Sequence, residues 1–342
     1  MKIHILFNMK GDISGGGSQF LKLLGNYFID NNLYEEDPRK ADVILYNSHH
    51  NIDKLIKLKA RYANKLFIHR VDGPIRLYNQ ISDKRDLVVY CANKFISDGT
   101  IYQSNWSREN NLKMGMTQNA NEIIIINAPD SALFNKSNKN KYRESGKVRL
   151  VISSWSNNVK KGFPVYKWMD KNLDFSKYSV TFIGNTPVRF KNIDCKLIED
   201  RRKLSDELKK HDIFVTASQN DPCSNSLIEA LHCDLPALAL NDGGHVEIVS
   251  NGGELFNDNN EIIEMLRKIS DNYYYYQSQI KMLDINEIGD RYCNFINDIY
   301  QRQNNNKYKG NNIGFYEKSM LRFYLLVWKI SVTKQAIMKK YQ

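Results

Sequence analysis

Short apolar runs alternate with amphipathic helical patterns along most of this chain. In the first half, the apolar runs predict strands, and apolar residues that recur every three or four positions predict the helices between them. The predicted strands are 2–8, 42–47, 65–70, 99–104 and 122–127, and the predicted helices are 17–30, 51–63 and 105–112. This alternation is typical of a parallel, doubly wound α/β sheet, whose functional loops follow the carboxyl ends of the strands.

A polar segment interrupts the alternation near the middle of the chain. Residues 135–146 contain no aliphatic side chain and are rich in asparagine and lysine, which is typical of a linker. A second alternation of strand and helix patterns begins at Val148. We therefore predict a Rossmann-like domain at 1–140, a second one at 147–290, a helix at 291–304 that could cross back to the first domain, and a basic amphipathic tail at 305–342.

The stretch 213–249 predicts a strand, a loop, a short helix and a further strand. In a parallel sheet this order leaves the helix N-terminus, with its unpaired N–H groups and partial positive charge, at the carboxyl edge. Short side chains leave these N–H groups open to an anion such as a diphosphate; they are Ser224, Asn225 and Ser226. Asp221 and Glu229 offer carboxylates to hydroxyl groups. A nucleotide sugar carries both kinds of group, so it fits this stretch.

A structural interpretation of the same residues is also open. Ser226 and Glu229 have the spacing of a capping box, in which two side chains satisfy each other's backbone N–H groups at the start of a helix. In that case Glu229 would contact no ligand. The direction in which its carboxylate points distinguishes the two interpretations.

A glycine-rich segment follows the first predicted strand. Gly15, Gly16 and Gly17 remove side-chain bulk and would let the backbone approach a phosphate or a sugar. The segment lacks the G-K-[ST] of a Walker A loop and does not match G-x-G-x-x-G. A plain flexible loop is the alternative.

Polar side chains also follow other predicted strands of the first half. His69, Arg70 and Asp72 are candidates for a catalytic or acceptor pocket, with ordinary loop hydrogen bonds as the alternative. His49 is a further candidate for contact with an acceptor. Although His50 follows it directly, no third ligand is spaced to join this pair, so we expect no metal site.

Strand ends of the second half add three candidates. Lys160 and Lys161 stand in a strand-to-helix loop, where a lysine can neutralise a diphosphate, although adjacent loop lysines are ordinarily just solvated. Asn185 follows the predicted strand 178–183. Lys160 and Asn185 are candidates for binding the nucleotide sugar, and Lys161 is a candidate for neutralising its diphosphate.

Composition narrows the class of protein. A chain of 342 residues, 42% hydrophobic and 25% charged, is typical of a soluble globular protein with two domains. No apolar run is long enough to span a membrane, and the N-terminus has a strand pattern rather than that of a signal peptide, so we expect a cytoplasmic protein. The five cysteines are scattered and odd in number, which favours thiols over a zinc site or a disulfide framework.

The formal net charge of +11 is concentrated in the tail. Residues 307–340 hold eight Lys or Arg and one Glu, so the body of the chain is only weakly basic and we expect no nucleic-acid partner. From Gly314 onward, aromatic, aliphatic and basic residues are mixed. Residues 314–342 could lie on an anionic membrane surface, which would make the protein peripheral on the inner face of the membrane, or pack their apolar side on the body.

Together these motifs resemble the retaining glycosyltransferases of the GT-B type, specifically the large family 4. The similarity spans about residues 1–300. The similar segments are Gly15-Gly16, which matches the family's first-strand glycine loop; Asn127-Ala-Pro-Asp130 with Phe134, which matches N-G-V-D-x-x-x-F; Lys161-Gly162, which matches K-G; Asp221 with Glu229, which matches E-x7-E; and Gly243-Gly244 with Glu247, which matches G-G-x-x-E.

The resemblance implies an α/β fold of two Rossmann-like domains that face each other across a cleft, with a C-terminal helical extension. It implies transfer of a sugar, with retention and without a metal or other cofactor, from a UDP-, GDP- or similar nucleotide sugar to a hydroxyl of a glycan or lipid-linked acceptor. By this resemblance, Glu229 would bind the ribose hydroxyls and Asp221 the donor sugar. The backbone N–H groups of Ser226 and Leu227 would hold the diphosphate, and Lys161 would neutralise it as it leaves.

The chain departs from the family at two positions that matter for the donor. Asp221 stands where the family usually has glutamate, which is one methylene longer. The arginine usually found just before K-G has no counterpart, so Lys160 would replace its charge. The alternatives are a nucleotide-sugar epimerase or hydrolase of the same architecture and a non-catalytic nucleotide or nucleic-acid binding protein.

Overall fold

The computed structural model describes residues 1–8, 16–79, 82–142 and 146–340, with side chains throughout except at residue 16 and residues 334–340. The chain divides into two compact units. The first comprises the described residues of Met1–Ser14, Leu21–Ile126 and Asn286–Gln342, and the second comprises those of Gly15–Phe20 and Asn127–Ile285. The long segment of the second unit therefore begins at Asn127, before the linker at 135–146 that composition predicts.

Strands and helices alternate through the described residues. The strands are β1 Ile3–Leu6, β2 Val43–Asn47, β3 Leu66–Val71, β4 Gly99–Tyr102, β5 Glu122–Ile124, β6 Val148–Ser154, β7 Tyr178–Gly184, β8 Asp194–Lys196, β9 Ile213–Thr216, β10 Ala237–Leu240 and β11 Gly253–Phe256. The helices are α1 Gly16–Asp30, α2 Ile52–Arg61, α3 Ile75–Tyr78, α4 Arg85–Ile96, α5 Asn105–Lys113, α6 Phe163–Asn172, α7 Arg201–Leu208, α8 Asn225–His232, α9 His245–Val249, α10 Ile262–Asp271, α11 Tyr273–Gln279, α12 Ile285–Asn304 and α13 Phe315–Lys340.

The sheet of the first unit is parallel, with the strand order β1-β2-β3-β4-β5. A further parallel bridge joins Ile3 of β1 to Tyr34, which lies just after α1. A strand has two edges and β2 occupies one, so the segment around Tyr34 occupies the other. The chain thus moves outward on one side of β1 and then on the other, and this reversal defines a doubly wound sheet.

The sheet of the second unit is also parallel, with the order β11-β10-β9-β6-β7-β8. The chain proceeds from β6 through β7 to β8 on one side, and then through β9 and β10 to β11 on the other. The predicted fold class is confirmed, because each unit is a Rossmann-like α/β sheet.

Each unit buries its own hydrophobic core, which is what the alternation of apolar runs and amphipathic helices requires. The first core includes Tyr46, Leu55, Phe67 and Val88, and the second includes Ile152, Phe182, Val215 and Leu266. None of the five cysteines, all of which lie among the described residues, forms a disulfide.

A buried ion pair fixes the segment before α13 to the first unit. Lys59 Nζ donates to Asp98 at 3.2 Å, and neither side chain is exposed. The Asp98 carboxylate also accepts hydrogen bonds from Phe67 N at 2.9 Å, Tyr308 Oη at 3.1 Å and Asn311 N at 2.7 Å. A buried charge is tolerated when it is paired and hydrogen-bonded, so this carboxylate holds β3, α2 and residues 308–311 together.

Helix α13 packs one face on the first unit. Leu321 and Leu325 are buried in the first core, and Tyr324 and Trp328 pack against it partly buried. Of the two alternatives for the tail, packing on the body of the protein is therefore observed for this face of α13. Within the described residues, no helix is both long and apolar enough to cross a membrane.

Two helices contradict the local sequence pattern. Residues 87–91 of α4 are an apolar run typical of a strand, and α11 begins with four tyrosines. Packing decides both, because Val88 and Ala92 of α4 are buried four positions apart, and Tyr273 and Tyr276 of α11 three positions apart. Helical spacing, rather than strand propensity, brings these side chains into the cores.

Candidate functional site

The second unit gathers most of the candidate residues where β6 and β9 end. The pairing of these two strands runs from Leu150 and Ile213 to Val151 and Phe214, and both strands continue beyond it. The strand order reverses between them. Such a reversal leaves a crevice at the carboxyl edge, which is where doubly wound sheets bind ligands.

Helix α8 begins at this edge. Its N-cap residue is Ser224, whose side chain forms no capping hydrogen bond. The helical ladder starts with Ile228, whose N–H donates to Ser224 O at 3.0 Å. The N–H groups of Asn225, Ser226 and Leu227 precede that ladder, so they and the helix dipole suit an anion.

The segment with the N-G-V-D-like pattern lies in the second unit, beside α8. Asn127 Nδ2 donates to Asn225 Oδ1 at 3.0 Å, and Leu133 O accepts a hydrogen bond from Ser205 Oγ at 2.6 Å. We predicted this segment as the end of the first domain. The structure shows that it instead braces the start of α8.

Glu229 does not close a capping box. Helix α8 begins at Asn225, so Ser226 is inside the helix rather than at its cap. Glu229 Oε1 accepts a hydrogen bond from Arg201 Nη2 at 2.9 Å, and the Arg201 guanidinium lies 5.0 Å from the centre of the Phe134 ring. Burial raises the pKa of Glu229, and the Arg201 charge opposes that rise. The capping interpretation is wrong, and Arg201 orients the carboxylate.

The K-G pair has a steric explanation. Lys161 ends a short 310 helix, and Gly162 follows it with φ of 89°. A Cβ at Gly162 would lie 2.6 Å from Ala217 Cβ, just after β9, so only glycine fits here. Gln219 N also donates to Lys160 O at 2.7 Å. The loops that follow β6 and β9 are therefore held in contact.

Lys161 and Asp221 form an ion pair between those two loops. Lys161 Nζ lies 2.9 Å from Asp221 Oδ2, and Cys223 N donates to Asp221 Oδ1 at 3.2 Å. Burial by itself would raise the pKa of Asp221, but the Lys161 charge and the other groups around the carboxylate together outweigh burial, and the pKa lies below its ordinary value. A diphosphate at this edge would compete with Asp221 for the lysine.

The loop between β10 and α9 closes over Asp221. Gly244 N donates to Asp221 O at 2.9 Å, and a Cβ at Gly243 would lie 2.3 Å from that oxygen. His245 is fully buried, with Nδ1 3.0 Å from Leu240 O and no hydrogen-bond partner at Nε2. Burial lowers the pKa of His245, so the ring is neutral and carries its proton on Nδ1.

Asn185 lies after β7, at the same edge of the second sheet. Its side chain is exposed, its N–H donates to Ser154 O at 2.9 Å, and its Nδ2 donates to Trp155 O at 3.4 Å. Its assignment to donor binding, like that of Lys160, stays a prediction.

The glycine loop can be followed only in part. Gly15 lies outside the described residues, and Gly16 and Gly17 open α1. A Cβ at Gly17 would meet no atom within 4 Å, so no described neighbour requires glycine there. The approach of this loop to a phosphate stays a prediction.

His69 and Arg70 are buried inside the first unit, and neither has exposed surface. His69 Nδ1 lies 3.1 Å from Asn93 Oδ1 and its Nε2 3.2 Å from Ser48 O, and burial lowers its pKa to about 4. Arg70 Nη1 donates to Asn47 Oδ1 at 2.6 Å. The catalytic role of His69 and the acceptor role of Arg70 stay predictions.

Asp72 is the most accessible of that cluster, with 35% of its side chain exposed. Its carboxylate accepts hydrogen bonds from Ser48 Oγ at 3.0 Å, from Arg70 Nη1 at 3.2 Å and from the Gln103 side-chain amide. The exposed part of this carboxylate could accept a further hydrogen bond from a hydroxyl group. The catalytic role of Asp72 stays a prediction.

His49 lies against the tail. Its ring centre is 4.3 Å from that of His50 and 5.2 Å from that of Trp328 in α13. Burial lowers the pKa of His49 to about 3, so the ring is neutral. The two histidines stand in a turn after β2, and no group of three metal-ligating side chains occurs in the part of the chain that the structure describes.

Sequence analysis did not select Arg201 or His245. Arg201 contacts a residue 28 positions away, and no local pattern marks such a pair. His245 could have been found, because it stands inside the G-G-x-x-E segment that was noted.

Comparison with known proteins finds a family match within the second unit. Residues 191–281 match the family model described as Glycosyl transferases group 1, and this segment contains Arg201, Asp221, Glu229 and His245. A probable sucrose-phosphate synthase of Thermosipho melanesiensis is 30% identical over 131 residues. That match covers 37% of this chain and 31% of the relative, so the chain spans about a third of the length of the curated protein it matches.

Solved structures resemble nearly the whole chain. Sucrose-phosphate synthase from Thermosynechococcus elongatus has a TM-score of 0.69 at 13% identity, over 88% of this chain and 99% of that one. HepE of Anabaena, in complex with UDP and glucose, has a TM-score of 0.63 at 15% identity, over 87% of this chain and 100% of that one. At these identities the likeness shows the fold. The chain has the GT-B fold of these structures, with two Rossmann-like α/β sheets, and residues 191–281 match the family model of the glycosyl transferases group 1.

Proposed function

We propose that this chain is a glycosyltransferase that moves a sugar from a nucleotide-diphosphate sugar to a hydroxyl of a glycan or lipid-linked acceptor. The observation that carries the proposal is the convergence of Lys161, Asp221, Glu229 and the start of α8 at one edge of a doubly wound sheet. The lysine and the N–H groups of the first turn of α8 suit a diphosphate. The two carboxylates suit hydroxyl groups.

The parts of the donor are proposed to bind as follows. The Glu229 carboxylate, held by Arg201 at 2.9 Å, would accept hydrogen bonds from the ribose hydroxyls. The diphosphate would lie at the first-turn N–H groups of α8. It would draw the Lys161 ammonium away from Asp221, to which Lys161 Nζ is now paired at 2.9 Å. Asp221, once relieved of this lysine, would accept a hydrogen bond from the donor sugar.

Transfer requires that the bond between the anomeric carbon and the diphosphate oxygen breaks and that a bond from the acceptor oxygen to that carbon forms. Negative charge grows on the departing diphosphate, where Lys161 and the α8 N-terminus would stabilise it. The acceptor proton would pass to the departing phosphate oxygen. Attack on the face that the diphosphate leaves would retain the anomeric configuration, and these two positive groups would serve without a metal.

UDP-sugars are the first donors to test. HepE, one of the similar structures, is in complex with UDP and glucose. Among His69, Arg70 and Asp72, Asp72 is the first to test for contact with the acceptor, because 35% of its side chain is exposed and the other two are fully buried. Asp72 would hold an acceptor hydroxyl.

The proposal is tested by nucleotide-sugar binding and turnover. The chain is screened against UDP-, GDP- and ADP-sugars for an increase in melting temperature, which a ligand of the native state produces. Release of free nucleoside diphosphate is then measured with and without glycan and lipid-linked acceptors. We expect one nucleotide class to stabilise the chain and its release to depend on the acceptor.

A matched pair of variants locates the site. Glu229→Gln should weaken binding of the stabilising nucleotide sugar at least tenfold, whereas Glu264→Gln on the exposed side of α10 should leave it unchanged. Acceptor-independent release would identify a hydrolase, and recovery of an isomerised nucleotide sugar would identify an epimerase. If no nucleotide sugar bound, the proposal would be wrong.

A further inference from the structure

Helix α13 presents a second apolar face, opposite the one that packs on the first unit. Tyr316, Phe323, Leu326 and Ile330 are exposed, and Phe323 and Leu326 keep 57% and 55% of their surface accessible. Their spacings of seven, three and four residues place them on one side of a helix with 3.6 residues per turn. We call these four residues the outer face of α13.

The buried residues of α13 lie on the other side. Leu321 and Leu325 are four positions apart and are buried in the first core. At about 100° per residue, they stand roughly opposite the outer face. The exposure of the outer face is therefore not a result of a loosely packed helix, because the same helix is anchored on its inner side.

Basic residues border the outer face. Arg322 and Lys329, seven residues apart, lie along one edge of it, and both are exposed. Lys329 Nζ is 2.8 Å from Asp53 on α2, but both side chains are more than half exposed, and such a pair contributes little and yields readily to another anion. The helices α2 and α4, against which α13 packs, also carry exposed lysines, Lys54 and Lys94 respectively.

We propose that the outer face of α13 docks on an anionic membrane surface. An aromatic and aliphatic stripe flanked by Lys and Arg, on a helix without enough apolar length to cross a bilayer, has the composition of an interfacial helix. Residues 307–340 contain eight basic residues and one acidic residue, and this positive charge complements the negative charge of anionic headgroups. Nucleic acid would fit this charge but not the exposed apolar stripe.

Docking would place the first unit beside the bilayer. The segment before α13 is fixed to that unit by the buried Asp98, which accepts from Tyr308 and Asn311, so the helix is not on a free tether. The orientation of the first unit on the membrane would therefore be defined. This suits a lipid-linked acceptor, but the docking itself does not depend on sugar transfer.

The test is sedimentation of the full chain with vesicles, without donor or acceptor. Vesicles of phosphatidylcholine alone are compared with vesicles that also contain phosphatidylglycerol. We expect binding to the anionic vesicles only, weakened by added salt. The double substitution Phe323→Ser and Leu326→Ser should reduce vesicle affinity at least tenfold, and Arg322→Gln with Lys329→Gln should reduce it and lower its salt dependence.

A control keeps this test specific. Ile263→Ser with Tyr275→Ser removes two exposed apolar side chains from the second unit and should leave vesicle binding unchanged. Nucleotide-sugar binding serves as the check of folding, so failure of the docking and failure of the proposed function are distinguished. Absent vesicle binding, or binding that survives both outer-face pairs, would overturn the proposal. If the chain were a dimer that became a monomer on substitution of Phe323 and Leu326, the outer face would bind a second copy of the chain and the proposal would be wrong. Oligonucleotide binding without vesicle binding would also overturn it.

Discussion

Replacing Arg201 with methionine tests how Glu229 is prepared for a nucleotide. The substitution removes the guanidinium that donates to Glu229 Oε1 at 2.9 Å. Methionine keeps an unbranched apolar stem beside the Phe134 ring, over which the arginine now lies. Arg202→Met is the matched control, because it removes the same charge from the next, exposed position of α7.

The magnitude follows from the exposure of the pair. Fully exposed pairs contribute about 0–1 kcal/mol, and breaking a fully buried pair costs about 3–5 kcal/mol. Arg201 and Glu229 side chains are 31% and 11% exposed, which lies between these cases. We take about 1.5–3 kcal/mol, the value for a hydrogen bond to a charged group. Since about 1.4 kcal/mol is a factor of ten, the nucleotide should bind roughly tenfold to a hundredfold more weakly at neutral pH.

The pH dependence gives the sign of the effect. Burial raises the pKa of Glu229 and Arg201 lowers it, so the variant has a higher pKa than the wild type. The ribose hydroxyls are proposed to bind the ionised carboxylate. Nucleotide affinity should therefore fall as the pH is lowered, and in Arg201→Met this fall should begin at a higher pH.

Calorimetric titration with the stabilising nucleoside diphosphate, repeated across pH, measures both effects. The loss in Arg201→Met should diminish as the pH is raised, and Arg202→Met should follow the wild type. An equal loss at every pH would refute the electrostatic reasoning. An equal loss in the two variants would show that the overall charge of α7, rather than the contact with Glu229, governs binding.

Two further predictions, each with a second substitution as its check, concern the packing around the site and the segment before α13. Gly243→Ala should reduce turnover and lower stability by about 1–3 kcal/mol, because φ is 65° and the new Cβ would lie 2.3 Å from Asp221 O. Gly115→Ala, with φ of 100° and open space around it, should lower stability without changing turnover. Asp98→Asn should lower the unfolding free energy in urea by about 3–5 kcal/mol, because Lys59 is left as a buried unpaired charge. Adding Lys59→Met should recover part of that loss; no recovery would mean that the hydrogen bonds of Asp98, rather than its charge, hold the segment.

Much of the fold followed from local patterns. The strand predicted at 42–47 is β2 Val43–Asn47, and the helix predicted at 105–112 is α5 Asn105–Lys113. These elements have clear periodicity and end signals, such as Ser104, which caps α5 by accepting from Ser107 N. Helix α4 was not predicted, because its apolar run has the composition of a strand. Packing of its buried residues in the first core stabilises the helix instead.

The candidate site was predictable where a motif carries its own geometry. Gly162 and Gly243 stand at positions where a Cβ would collide with the loop after β9, so glycine there reports a contact directly. For His69 and Arg70, the sequence gives a position at a strand end but does not say how deeply that end is buried. Both lie in an interior strand and have no exposed surface.

By itself the sequence determined the two α/β halves, the start of a helix just after the strand β9 and the excess of basic residues in the tail, because periodicity, end signals and charge are local properties. Tertiary structure alone decided the partners. Glu229 pairs with Arg201 rather than forming a capping box, and Lys161 pairs with Asp221 across two loops. One face of α13 is buried and the other is exposed. These contacts join residues far apart in the chain, and their energies depend on burial, which is set only when the whole unit has packed.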